Sequence, residues 1–159
     1  MKDDIKIKGK IIIFKKDKYN ELIKVYEKNN LVVDTGLNFL VQKLDGDSIA
    51  DMGWIAVGTD STPVVATDTT LGVEILRKAF VDTDTVNNLW RAEAQFDVGE
   101  AVANWKEAAI FNASSGGIMF NRVNIDFDKL TDETVIVRFE ITFNAWGKIK
   151  NVTIRIWKK

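Results

Sequence analysis

Over most of this chain hydrophobic residues recur at every second position, the period of strands with one buried face. From residue 134 onward Val135, Val137, Phe139, Ile141 and Phe143 alternate with Arg138, Glu140, Thr142 and Asn144. Trp90, Ala92, Ala94 and Phe96 alternate with Arg91, Glu93 and Gln95, and near the end Val152, Ile154 and Ile156 alternate with Thr153, Arg155 and Trp157. At the start Ile5, Ile7, Ile11 and Ile13 alternate with Lys6, Lys8 and Lys10; a charged turn at 15–18 and a second strand-like run at 19–27 complete a hairpin with a lysine-rich face. Ser114, Ser115, Gly116 and Gly117 separate two further strand-like runs, as a hairpin turn with positive φ requires. Trp54, Ile55, Ala56 and Val57, closed by Gly58, read as a buried strand entering a polar loop that holds Pro63, the only proline.

Two short segments break the alternation. Asp34 and Thr35 can cap a helix whose Leu37, Leu40, Val41 and Leu44 fall at i, i+3, i+4 and i+7, with Gly46 to end it. Asp68 and Thr69 can cap a second helical turn through Leu71 and Glu74, and Arg77 then sits at i+3 from Glu74, placed to pair on one helical face and fix the turn into the next strand. The pattern therefore predicts a mainly β chain: an antiparallel β-sandwich with one or two short helices and an N-terminal β-hairpin, not a βαβ fold. A chain of 159 residues suits one globular domain. Its expected parts are a basic β-hairpin arm at 1–29, a sandwich core at 30–146 and a C-terminal strand extension at 147–159.

The order of certain residues adds a resemblance. Asn30, Gly36, Leu37 and Asn38 are followed by Trp54, Ile55, Ala56, Gly58 and Thr59, then by Asp68, Thr69, Leu71, Glu74 and Arg77. A second patch, residues 106–123, contains a Glu-x-Ala-x-Phe strand, a glycine hairpin and a returning strand. Together these resemble a module of tailed-bacteriophage tail-fibre and baseplate-associated structural proteins, over roughly residues 30–146; Asp60 departs from it, standing where that family often carries glycine. The resemblance implies a non-enzymatic virion protein of the tail, baseplate or fibre base, made in the host cytoplasm, whose partners are identical subunits, with threefold symmetry, and other virion proteins. A head, neck or collar decoration protein and a carbohydrate-binding receptor module that takes a host surface glycan stand as alternatives.

Composition narrows the chemistry. There is no histidine and no cysteine. That removes serine triads, His-based zinc sites, thiolate metal sites, cysteine nucleophiles and disulfides. Phosphate-binding and nucleophile-elbow glycine motifs are missing as well. No cofactor and no catalytic residue is expected. Carboxylate, lysine or tyrosine chemistry remains, and the clusters that invite a site are carboxylates: Asp45, Asp47 and Asp51 as hard oxygen ligands without the spacing of a calcium loop, and the Asp-x-Asp pairs Asp82/Asp84 and Asp126/Asp128, which share a side if they lie on strands, as the paired carboxylates of glycan hydrolysis would. Turn and strand-end acids are the simpler reading of all three. The start MKDDIKIKGK lacks the apolar stretch of a secretory signal, and no apolar run is long enough to cross a bilayer, so no membrane partner is expected.

Charge is segregated along the chain. Residues 1–30 hold nine Lys against five Asp or Glu, residues 146–159 hold five Lys or Arg and no acid, and the middle carries the acidic excess that brings the net charge to −1. Solvated outer faces and edge-strand lysines account for this most simply; contact between basic and acidic surfaces of identical subunits is the functional reading. No basic-aromatic motif points to specific nucleic-acid binding. Of five tryptophans, Trp54, Trp90 and Trp105 lie in apolar runs and read as core, whereas Trp146 and Trp157 occupy the polar side of their strands. With Ile12 and Phe14 of the hairpin they are the candidate subunit-contact residues.

Overall fold

The computed structural model of the chain describes residues 5–145. They form β1 (Ile5–Lys16), β2 (Leu22–Val32), α1 (Asp34–Leu44), β3 (Trp54–Gly58), β4 (Glu74–Ala79), β5 (Asp82–Val86), β6 (Leu89–Phe96), β7 (Ala103–Phe111), β8 (Met119–Lys129) and β9 (Val135–Ala145). The strands make one antiparallel sheet in the order β4-β3-β7-β8-β2-β1-β9-β6-β5. The sheet turns over at β2. Residues 22–30 of that strand run beside β1, and only Leu31 and Val32 pair with β8, opposite Arg122 and Asn121. The two halves thus face one another as in a sandwich, joined as a half-barrel.

One core fills the space between them. Ile11, Ile13, Val137, Phe139 and Phe96 from one half meet Ile55, Val57, Ile110, Val123 and Phe127 from the other. The alternation read along β6 and β9 is the alternation of this burial. Trp105 is the fully buried indole at its centre, with ring centroids 5.1 Å from Phe96 and 5.4 Å from Phe127 and its Nε1 donating to the Ala101 carbonyl at 2.7 Å. Trp90 and Trp54, expected in the core, are half-buried at its margins.

The N-terminal hairpin is present, but it is not an arm. β1 lies inside the sheet, pairing with β9 from Ile5 to Lys15 while β2 flanks its other edge. β2 runs across residue 30, so the expected boundary at 29 falls within a strand. The reason is the isoleucine run: Ile11 and Ile13 have no exposed surface and need both halves of the sheet to cover them. The expected extension at 147–159 lies outside the described residues.

α1 differs from its sequence reading in two ways. Neither Asp34 nor Thr35 caps it by a side chain; the cap residue is the extended Val33. Asp34 instead donates its N–H to the Ala66 carbonyl at 2.8 Å, and the Thr35 hydroxyl donates to the Met119 carbonyl at 2.7 Å, so both tie the helix to neighbours. The buried residues of the helix are Gly36 and Phe39. At Gly36 an added Cβ would stand 2.0 Å from the Phe120 carbonyl oxygen, so only glycine lets α1 lie this close to β8. Of the stripe that the period picked out, Leu40 packs against the core, but Leu37, Val41 and Leu44 are 41%, 61% and 90% exposed. Gly46, at φ +85°, ends the helix as expected.

The second predicted helical turn is absent, and Glu74–Ala79 is a strand. Glu74 and Arg77 still pair, with Nη2 to Oε2 at 2.6 Å. A bulge explains why residues three apart share a face. Val57 pairs with Leu76 but Gly58 with Glu74, which leaves Ile75 as the extra residue and shifts the alternation by one.

A deletion follows from the position of β1. Removing residues 1–29 exposes both the β9 edge and the core, so the remaining chain is expected to lose its cooperative thermal transition and its near-ultraviolet circular dichroism. A truncated chain that melts cooperatively within a few degrees of the intact protein would mean that the sheet closes without β1.

Candidate functional site

The loop at 59–73, between β3 and β4, folds over the outer face of β3, β7 and β8. There Leu71 joins Ala56, Ala109, Phe111 and Met119 in a second apolar cluster. Beside it lies a buried charged network. Glu107 of β7 is fully buried and accepts the backbone N–H groups of Gly72 at 3.0 Å and Val73 at 2.8 Å, with Asp60 N–H further off at 3.4 Å. Arg122 of β8, 3% exposed, places Nε 3.0 Å and Nη2 2.8 Å from Glu107 Oε2. Its other donors reach Asp68 at 2.9 Å, Asp60 at 3.3 Å and the Thr62 carbonyl at 3.3 Å. Gly58 packs under this cluster, where a Cβ would stand 2.4 Å from the Val73 carbonyl oxygen.

Burial by itself lowers the pKa of Arg122, but hydrogen bonds to Asp68 and Glu107 outweigh it and hold the guanidinium above its ordinary value. Asp60 is held below its ordinary value, first by the Thr62 hydroxyl and also by Arg122. Glu107 has no free face for a substrate, since backbone amides and Arg122 surround its oxygens. The cluster fixes a loop; it is not arranged as an acid–base pair. A second pin sits nearby: Arg77 lies 3.6 Å over the Phe111 ring and donates to the carbonyls of Ala113 at 2.8 Å and Gly116 at 2.9 Å, holding the β7–β8 hairpin whose Gly116 and Gly117 have positive φ. Arg77 therefore does fix a turn, though not the one expected.

The candidates from sequence are placed as follows. Ile12, expected on an exposed face, is 5% exposed, because it sits between Arg138 and Glu27 on the neighbouring strands. Phe14 is half-buried beneath the Arg138 guanidinium, 4.7 Å from its ring centroid. Trp146 and Trp157 lie outside the described residues. Asp126 and Asp128 do share the exposed face of β8, but they flank Asn104, and Asp126 pairs with Lys106 at 2.7 Å. Asp84 pairs with Arg91 on the next strand. Asp51 pairs with Lys43 at 2.7 Å, and among the described residues no three acidic side chains converge on one point.

Sequence reasoning passed over Arg122 and Lys129. Residues 120–127 carry Asn121, Asn124 and Asp126 beside Arg122, so no apolar run set that cation apart. Lys129 is 1% exposed and donates to the carbonyls of Asp97 and Glu133, both at 2.9 Å. Burial pulls its pKa down, partly opposed by Glu133, Glu100 and Asp97.

The opposite outer face carries a row of alternating charge across five strands. Glu27 of β2 pairs with Lys10 of β1 at 3.3 Å, Lys10 with Glu140 of β9 at 3.4 Å, Glu140 with Arg91 of β6 at 3.3 Å, and Arg91 with Asp84 of β5 at 3.2 Å. Lys15 pairs with Glu133, and Lys24 with Glu27. Several of the hairpin lysines are thus matched by acids of the same chain.

The clearest open concavity is apolar. It follows α1, with a volume of about 540 Å³ between Leu37, Val41 and Leu44 on one wall and Ile7 and Phe143 on the other. Across Leu40, Lys43 and Phe143 it continues into a second hollow of about 510 Å³ that reaches Met52 and Trp90. Comparison with known protein families, with curated proteins and with solved structures finds no match to this chain.

Two outcomes follow from the charged groups. Arg122→Met should cost about 3–5 kcal/mol in chemical denaturation, because it leaves Glu107 buried without its cation. Hydrogen exchange at Gly72 and Val73 should accelerate together in that variant; unchanged exchange would mean that the loop is held by Leu71 alone.

The second outcome concerns pH. The carboxyls of Glu27, Glu100 and Asp126 are lowered first by hydrogen bonds from Lys24, Lys78 and Lys106; at Glu133 burial acts the other way, but Lys15 and the Leu130 amide prevail. A lowered folded-state pKa gives stability that is present above the ordinary values of 3.8–4.5 and is lost as pH falls through the lowered ones. With no histidine, denaturation midpoints should stay level from about pH 5.5 to 8 and fall only below about pH 4. A step near pH 6.5 would contradict this.

Proposed function

We propose that this chain is a non-enzymatic structural protein of a tailed-bacteriophage particle, belonging to the tail, baseplate or fibre base and acting through subunit assembly. What supports the reading is the ordered set of residues that resembles that module. Their positions in the fold make the set coherent: Gly36 admits the helix to β8, Gly58 and Glu107 seat the 59–73 loop with Asp68 and Leu71, and Glu74, Arg77 and Phe111 pin a hairpin. A pattern made of such positions marks a scaffold, and scaffolds of particles act by contact.

The contact surface in this reading belongs to β2. Among the described residues its stretch from Leu22 to Asn30 pairs only with β1, and Tyr19, Leu22, Ile23 and Val25 beside that free edge are exposed apolar residues. An unpaired apolar edge is a template for a second strand. Identical subunits in threefold arrangement are the partners that the resemblance implies.

Two measurements test this. Light scattering of purified protein should show a trimer, and Ile23→Asp with Val25→Asp should reduce it to monomers at unchanged circular dichroism. Purified protein should also release no product from polysaccharide, peptide or phosphodiester substrates. A wild-type chain that stays monomeric at all concentrations and is missing from particles detected by specific antibody would sink the proposal, as would turnover abolished by Asp126→Asn.

A further inference from the structure

The outward apolar stripe of α1 is a contradiction within one fold. A helix at a sheet margin normally turns its apolar stripe inward. Here Gly36 and Phe39 make the inward contact, leaving Leu37, Val41 and Leu44 to form one wall of an open groove opposite Ile7 and Phe143. Single exposed apolar residues need no explanation, but a lined concavity of about 540 Å³ does.

We propose that the groove is the docking site of residues 146–159 of the same chain. Three observations select this occupant. The first is where the described chain stops: β9 ends at Ala145, paired with Ile5, and Phe143, two residues earlier, is itself a wall of the groove. The described chain therefore ends beside the groove. The second is composition: 146–159 reads WGKIKNVTIRIWKK, with Ile149, Val152, Ile154, Ile156 and two tryptophans among five cations and no acid. The third is charge. Asp45 and Asp47, both exposed, line the adjoining hollow with Val41 and Leu44, an acidic margin for a basic segment, while Lys43 on the groove wall is already paired with Asp51 at 2.7 Å.

Reach and tethering agree with this. A segment of 14 residues can span up to roughly 46 Å, whereas the 11 residues of α1 cover about 16 Å. Attachment at the groove's own wall gives an effective concentration on the order of millimolar, which a separate molecule does not have. The occupant is the chain's own terminus; a second copy's terminus in the same groove is the outcome that distinguishes exchange between subunits.

Limited trypsin digestion of the full-length protein, with the cuts located by mass spectrometry, reads the docking directly, since Lys148, Lys150 and Arg155 are cleavable only when the segment leaves the groove. In the wild-type chain cleavage there should be at least ~10-fold slower than in a free peptide of the same sequence, at a rate independent of protein concentration. Val41→Gln with Leu44→Gln, both at exposed positions, should restore the peptide's rate with unchanged circular dichroism. Ile154→Gln with Ile156→Gln should do the same from the other side of the contact, without touching the folded body. Wild-type cleavage as fast as the peptide's, or protection that survives both pairs of substitutions, overturns the proposal. So does protection that rises with protein concentration alongside dimers in light scattering, because the segment is then held by another chain. Self-association through β2 is read separately, in Ile23→Asp with Val25→Asp, so either proposal can fail without the other.

Discussion

The two halves of this sheet are held together by a very short joint. β2 follows β1 for most of its length and crosses to β8 for only Leu31 and Val32. Val33 then continues the contact, fully buried and donating its N–H to the Phe120 carbonyl at 3.2 Å, and Gly36 brings α1 onto the same point of β8. Everything that faces the core depends on this joint, because Ile11, Phe139 and Phe96 are covered only if the β7–β8 half stands opposite them. The rings of Phe39, Phe120 and Trp90 close the gap beside the joint, with centroids 6.5 Å and 5.9 Å apart in edge-on contact. A strand shared between two half-sheets also explains why the first residues of the chain are indispensable to its middle.

Charge that is segregated along the sequence is interleaved in space. The lysines of β1 lie next to the acids of β2 and β9 because a sheet brings together residues more than a hundred positions apart, as Lys10 and Glu140 show. Exposed pairs of this kind contribute little each, yet the row from Glu27 to Asp84 has alternating sign at every step and no repulsive neighbour within it. The Arg122–Glu107 pair belongs to a different class. Desolvation costs both groups dearly, so its worth lies less in net stability than in the single position it allows the 59–73 loop, whose Gly72 and Val73 amides Glu107 accepts.

The strands were readable because their period is a direct consequence of burial on one face: the alternation in residues 92–96 and 137–141 reappears residue by residue as buried and half-exposed positions. What was not readable has specific causes. The Glu-x-x-Arg spacing at 74–77 imitates a helix because a bulge at Ile75 adds one residue to a strand. The period of Leu37, Leu40, Val41 and Leu44 marks an apolar side of α1 but carries no information about which side a glycine has made available for packing. Ile12 looked exposed since strand alternation predicts sides, whereas the stems of Arg138 and its neighbours bury what lies between them. Arg122 escaped notice because its partners, Asp60, Asp68 and Glu107, are scattered over the sequence.

Those misreadings separate two kinds of position. The residues that resemble the phage module are nearly all occupied with the fold's own demands. Exposed apolar residues, by contrast, include two groups that no internal demand explains: those at the free edge of β2 and those on the outward side of α1. They differ in kind. The β2 edge offers backbone hydrogen bonds, which any strand from any subunit satisfies, so specificity there must come from side chains and symmetry. The α1 groove offers apolar walls with an acidic margin next to the point where the chain leaves β9, so proximity favours the chain's own basic terminus over a partner. If that terminus fills the groove, the β2 edge still stands unpaired among the described residues, and the proposed internal contact thereby leaves it to the external one.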